Sequence, residues 1–576
     1  MKKEIIALGM SIVLITTPVF AGPPGGSPPG GSGSVTWSGA TEITGSTTAS
    51  NKTYKSTSAD ENAVLINTSG NVVLNTATIT KTGGTSASDT YSFYGTNSAV
   101  MCKGGGTTTI KRANVTTKAA GANGVFCYGG NASTNASSGD GTTVVISDST
   151  ITTTGDGSGG IMTTGYGIMK ASDLKINTSG NSSAAIRSDR GGGIVTVDGG
   201  SYTTSGIGSP AIYATATITV SNAALTSTAS QGVVNEGGNK VILNNCTVNA
   251  GNKTLNSQDY FRNGIFLYQS MSGDASDGAS VFSMTGGTIN NTYGHVFHVT
   301  NTSAAITLNN VNIKNSDSEN VFLSVCDDAW SGLSNSVTLK AQSQAISGKI
   351  LVGSDSTATV NLSGSSSWTG ITSGNITSHK NSKTVSSSLG TVNVTLGSGS
   401  LWVLTGDCKV TSISGSGKIN YNGHTLTVGS KKYSSGSPGG SITETTESAS
   451  DVSNDTGDSA GTSNTTGTSD TADSTTSTDD TAKSSTVKAT IKASKTTVKR
   501  GKKTVIKITS NSGAKLTVKA KDAKAKNKKY VKISSGKTAK ITFTKKAAKG
   551  VYKFTVTSPA NGNYKKTSKT IKIVVK

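Results

Sequence analysis

Between Val35 and Ser430 the apolar positions fall on two short templates that recur in phase. In the first, an apolar anchor is followed three residues later by a small or apolar residue and five later by a large apolar one. Val241–Ala250 (VILNNCTVNA) and Ile306–Asn315 (ITLNNVNIKN) are clear copies. The anchors are Leu74, Ile110, Ile146, Met169, Val197, Val220, Leu243, Met284 and Leu308. Three of their eight gaps are 23 residues and one is 24, the rest being lengthened by loop insertions. The residues after the anchor are rich in Asn, Asp and Gly, as in Asn244-Asn245, Asn309-Asn310, Asp198-Gly199 and Ser221-Asn222. Such residues tolerate left-handed backbone at a tight corner.

The second template has Val or Ile at its second position in all ten copies, from Ala63-Val64-Leu65-Ile66 to His295-Val296-Phe297-His298 and Asn320-Val321-Phe322-Leu323. β-Branched residues lying on one another from coil to coil make an inward stack. A coil of about 23 residues cannot bury its apolar face alone, but stacked coils can. The pattern therefore predicts an all-β chain built on a right-handed parallel β-helix. Ten coils are visible, weaker repeats near Val337, Val360, Val392 and Leu426 add two to four more, and the stack runs about 60 Å. An array of β-sandwiches is the competing fold and requires no fixed coil length.

If the second position faces inward, the third faces out. It holds Leu65, Met101, Phe126, Met162, Arg187, Tyr213, Val234, Phe266, Phe297 and Phe322. An outward aromatic ladder of Phe126, Tyr213, Phe266, Phe297 and Phe322 is the candidate binding site, for stacking on sugar rings or on a partner protein. The alternative is that insertion loops such as 83–91 cover this stripe, or that the column faces in.

Composition extends the picture at both ends. The first residues, MKKEIIALGMSIVLITTPVFAG, combine Lys2 and Lys3, an apolar run from Ile5 to Phe20, and a small-x-small site at Val19-Phe20-Ala21. This reads as a signal peptide (1–21), followed by a Gly/Pro spacer (22–34), and predicts a secreted, extracellular or cell-surface protein with no transmembrane span in its mature form. The β-helix is expected over 35–433. A Ser/Thr/Asp-rich stretch (434–486) cannot bury a core and reads as a disordered acidic linker. Residues 487–576 return to period-two alternation and read as a small β-sandwich. From Lys488 to Lys576 there are 27 Lys and Arg against one acid, Asp522. The chain's total is +22, so all of its excess positive charge lies here. Lys dominates over Arg, which suits attraction to an anionic envelope polymer better than base readout, so no nucleic-acid partner is expected.

Candidate chemistry is sparse. Gly155–Gly160 (GDGSGG) fits G-x-G-x-x-G, but no βαβ unit surrounds it, so it reads as a corner and no cofactor is expected. His295 and His298, three apart in a strand, should face opposite sides and make a poor metal pair. Cys102 and Cys127 occupy the same position of aligned units and form either a disulfide or an unbonded stack. Acids at Asp189, Asp274, Asp277 and Asp328 could serve a polysaccharide lyase or hydrolase if two converged in a groove. Their other reading is loop solubility.

The stretches ENAVLI, FYGTNSAV, GNSSAAIRSDRGGG, GSPAIY, IFLYQSMSGDA and HVFHVTNTSA resemble a family of secreted, adhesin-like right-handed β-helix proteins of anaerobic bacteria and methanogens, related in fold to pectin lyases. The C-terminal stretch resembles the Lys-rich immunoglobulin-like modules of surface adhesins. The resemblance implies a noncatalytic protein that binds carbohydrate or a surface partner through the outer face of the helix. The alternative it leaves open is a glycan-cleaving enzyme on the same scaffold.

Overall fold

The computed structural model describes residues 35–452 and 487–576, apart from short stretches within each. The expected signal peptide, the spacer and residues 453–486 of the expected linker lie outside the described residues. Two compact units emerge, one ending at Ser459 and the other beginning at Ala460.

The first unit is a right-handed parallel β-helix. Successive strands enter three sheets in turn, with thirteen strands in the first, fourteen in the second and ten in the third. Each strand pairs in parallel with its counterpart one coil away, as Val125–Tyr128 does with Val100–Lys103 and Ile161–Thr164. The inward column of the first sheet stacks Val64, Val100, Val125, Ile161, Ile186, Ile212, Val233 and Ile265, all 0–1% exposed. Past Asn315 the third sheet gives way to a five-stranded one. There the core is filled by Trp368 on Trp402, with centroids 4.4 Å apart and planes 8° from parallel.

The corner between the second and third sheets explains the recurrent Asn and Asp. It is left-handed and two residues long in every coil that enters the third sheet. The first corner residue has positive φ in each coil, being Asn51, Thr76, Arg112, Asp148, Asp173, Gly199, Asn222, Asn245, Gly286 and Asn310 in turn. Glycine, Asn and Asp fit this backbone, whereas Thr76, at φ 56°, carries a β-branched side chain against it. The corner leading back to the first sheet is closed by buried hydroxyls. Ser158 N–H donates to Ser183 Oγ (2.9 Å), Ser183 N–H donates to Ser209 Oγ (2.8 Å), and each receiving Ser donates onward to a backbone carbonyl. These bonds satisfy backbone groups that the sheets cannot reach. GDGSGG lies in one such corner, between the strands ending at Thr153 and beginning at Ile161.

The helical stack passes the expected boundary at 433, because Thr443–Glu444 pairs with Lys418–Ile419 and Ile442 is 1% exposed. Cys102 and Cys127 are register partners but remain free thiols, so the unbonded stack is the one formed.

The second unit is a β-sandwich of two four-stranded sheets over one core that includes Ile506, Ile541, Phe543, Tyr552, Phe554 and Ile573. Its outward lysines stand directly across from one another, Lys507 opposite Lys540 and Lys553 opposite Lys572. Like charges in cross-strand pairs are destabilising.

The corner argument is testable by melting the full chain. Thr76→Gly should stabilise the β-helix by up to about 1 kcal/mol, and Asn245→Ala should destabilise it by about 1 kcal/mol. Equal effects of the two changes would contradict the role given to left-handed backbone.

Candidate functional site

The outward column of the first sheet holds Leu65, Met101, Phe126, Met162, Arg187, Tyr213, Val234, Phe266, His298 and Ser324. This differs from the expected ladder in two ways. Phe297 and Phe322 are not in the column. Phe297 pairs with Ile265 and with Leu323, so the His295–His298 copy is displaced by one residue and the Asn320–Leu323 copy by two, with a bulge between Val321 and Leu323. Phe297 turns into the core through the one-residue slip, and Phe322 enters it at the bulge.

The second difference is cover. Phe126 is fully buried and Phe266 is 3% exposed, while Tyr213 is half-buried. Over Phe126 lie Trp37, Tyr94 and Tyr128, with ring centroids 5.6–6.3 Å apart. Tyr94 arrives on a short helix, Asp89–Tyr94, capped at its N-terminus by Ser88 and stopped by Gly95 at φ 67°. Phe266 stacks on Tyr268 at 4.4 Å, and Tyr268 meets Trp330 at 5.1 Å. The exposed aromatic ladder is thus replaced by a second, outer apolar layer under insertion loops.

In the middle of this layer the column turns polar. Arg187 pairs with Asp189 (2.9 Å) and Arg190 with Asp274 (2.6 Å), while the Arg190 guanidinium lies 4.1 Å over the Phe93 ring. One rung on, the Glu236 carboxylate accepts from the hydroxyls of Tyr213, Ser270 and Tyr268, the last at 3.2 Å. Glu236 is 1% exposed. Burial pushes its carboxyl up to about 7, against the hydrogen bonds from Ser270 and Tyr213, and the charges of Asp274 and Asp189 add to the rise. Burial likewise pushes Asp189 up to about 6, with Arg187 opposing. Asp189 and Asp274 are therefore drawn into one cluster, Asp277 stands exposed outside it, and Asp328 belongs to a separate histidine network. Sequence reasoning passed over Glu236. Its signal was an acid two residues after Val234, on the outward side of a first-sheet strand.

A third group gathers further along. His295 and His298 were expected on opposite faces, but Val296 and Phe297 both enter the core where the chain turns into the strand. The two imidazoles consequently meet outside it, each with Nδ1 2.7 Å from Ser324 Oγ. Phe261 packs against both, and His379 and Glu319 complete the cluster.

The third sheet is different in kind. Its two outward columns are almost free of apolar residues. One reads Lys55, Thr80, Thr116, Thr152, Asn177, Thr203, Thr226, Asn249, Asn290 and Lys314 from coil to coil. These side chains are exposed or half-buried. They bond along the ladder, Asn249 Nδ2 donating to Thr226 Oγ1 (2.9 Å) and Asn290 Nδ2 to Asn249 Oδ1 (2.7 Å). Searches of protein-family models, curated proteins and solved structures found no match to this chain.

The buried carboxyls set a pH dependence. Glu236 binds its proton more tightly folded, at about 7, than unfolded, at about 4.3. Its contribution is therefore complete below pH ~4 and is lost as pH rises through about 7. Glu236→Gln should reduce the fall in stability between pH 5 and pH 8 by on the order of 2 kcal/mol, read from denaturant melts at the two pH values. An unchanged fall would mean that Glu236 is not the buried acid described here.

Proposed function

We propose that this chain is a secreted, adhesin-like surface protein that binds carbohydrate without cleaving it. In this reading the binding face is the outward ladder of the third sheet and not the aromatic column. The observation that carries it is the run of eight Thr and Asn rungs between Lys55 and Lys314. Its hydroxyls and amides both donate and accept, at a rung spacing of about 4.8 Å. An extended polysaccharide presents hydroxyls in a row of comparable regularity. Each contact is weak, and many rungs act together.

The basic sandwich serves as the docking module for anionic envelope polymer. Facing lysine pairs cost the free domain stability, and a polyanion across them relieves that repulsion. The two modes differ in salt response, because the ladder is uncharged over its central rungs and the sandwich is not.

A second reading rests on a specific observation. Glu236 and Asp189 are buried acids with raised proton affinity beside Tyr213 and Tyr268, a combination that marks catalytic sites. A polysaccharide lyase or glycoside hydrolase would work here once the 269–278 loop opened.

One incubation separates these readings. The mature full chain is mixed with a panel of neutral and anionic polysaccharides, and both depletion from solution and new sugar ends are scored. Depletion by a neutral glycan that survives high salt and falls about fivefold or more in Thr116→Val/Thr152→Val/Thr203→Val supports the ladder, at ~1 kcal/mol or less per lost hydroxyl. Depletion by anionic polymer should vanish with salt. New ends that disappear in Glu236→Gln or Asp189→Asn would replace the binding reading with the enzymatic one.

A further inference from the structure

We infer that His295, Glu319 and His379 form a binding site for a borderline divalent metal ion of the Zn2+ or Co2+ class. Three segments far apart in the chain converge to make it. His295 opens a first-sheet strand, Glu319 lies in the turn before the next, and His379 sits in the hairpin loop that follows Asn375–Thr377. That loop is tied down by His379 N–H donating to Tyr260 O (3.0 Å). His295 Nε2 is 3.6 Å and His379 Nε2 3.2 Å from Glu319 Oε2, and the three ligand atoms lie within 4.8 Å of one another. Tetrahedral Zn2+ with bonds of about 2.0–2.1 Å places its ligand atoms about 3.3 Å apart, and two His with one Glu is an established donor set with an open fourth position. Glu319 is 49% exposed, so an ion can enter from solvent.

The polar contacts around the imidazoles point the same way. Asp328 accepts from Thr300 Oγ1 (3.0 Å) and Trp330 N–H (2.9 Å), and its other oxygen faces His298 Nε2 at 3.0 Å. As a carboxylate it requires the His298 proton on Nε2. His298 Nδ1 and His295 Nδ1 both lie 2.7 Å from Ser324 Oγ, so each ring is held in place from its Nδ1 side. His295 Nε2 is buried, its side chain 1% exposed, makes no hydrogen bond, and lies 3.6 Å from the Glu319 carboxylate. Fixing one imidazole nitrogen through a donated hydrogen bond so that the other is free to ligate is how metal-binding histidines are oriented. Without an ion, His379 Nδ1 accepts Arg262 N–H (2.9 Å), so its Nε2–H donates to Glu319. His379 joins the ion by releasing that amide. It is accordingly the weakest ligand of the three, and His295 and Glu319 are indispensable.

Titration of the mature full chain with Co2+, read by the visible spectrum of the bound ion and displaced by Zn2+, tests the site. The expected result is one strongly bound ion, lost by a hundredfold or more in His295→Gln and in Glu319→Gln, and weakened about tenfold in His379→Gln. Glu319 is half exposed, so Glu319→Gln keeps the test decisive if the buried His295 variant fails to fold. No tight binding, or binding that Glu319→Gln leaves unchanged, would overturn the assignment.

Discussion

No coil of this protein can bury its own apolar face, and the structure depends on that. A single turn of three short strands leaves Val or Ile uncovered on one side and its backbone groups unpaired on both. The next coil supplies both, the side chains stacking and the N–H and C=O groups pairing in parallel. Such a stack tolerates no drift in register. The two-residue left-handed corner between the second and third sheets prevents it, because its length does not vary while every other connection does.

That constancy decides where the molecule can be elaborated. The long connections, 82–99, 129–142, 251–262, 269–278 and 326–334, all begin or end at the first sheet. They fold over its outer face and produce small apolar layers beside the main core. The third sheet is held on one edge by the invariant corner, and its polar columns remain open to solvent. One face is dry and carries titratable groups, and another is wet and polar. Both follow from where the chain can accept extra residues.

Much of this was legible in the residues themselves. Asn, Asp and Gly after most anchors named the left-handed corner, and the Val/Ile column named the inward stack. Where the reading failed, the cause was a template too short to hold its register. In His295-Val296-Phe297-His298 the second position is Val, as the pattern demands, yet the coil seats Phe297 opposite Ile265. A β-branched residue and an aromatic compete for the same inward place, and four residues do not decide between them. The cover over Phe126 was foreshadowed only by the insertion at 83–91, since nothing local to Phe126 marks the rings that arrive from Trp37 and Tyr94. Glu236 and the histidine cluster were illegible for a further reason. Their members come from different coils, and only the stacked register brings them within reach of one another.

The same cover changes what the outward column can do. Solvated, a Glu, a Tyr and two His spaced along a ladder would behave as ordinary surface groups. Beneath the loops each must find a partner or change its protonation, because an unpaired charge in a dry site is costly. Glu236 meets this with three hydroxyl donors and a raised proton affinity. Asp189 meets it with Arg187. His298 meets it through Ser324 and Asp328. His295 Nε2 is a buried ring nitrogen for which this arrangement supplies no partner, although it faces a carboxylate at 3.6 Å. A cation standing between the ring nitrogen and the carboxylate is held by both. A divalent ion shared with the half-exposed Glu319 satisfies both groups while leaving the hydrogen bonds behind His295 intact.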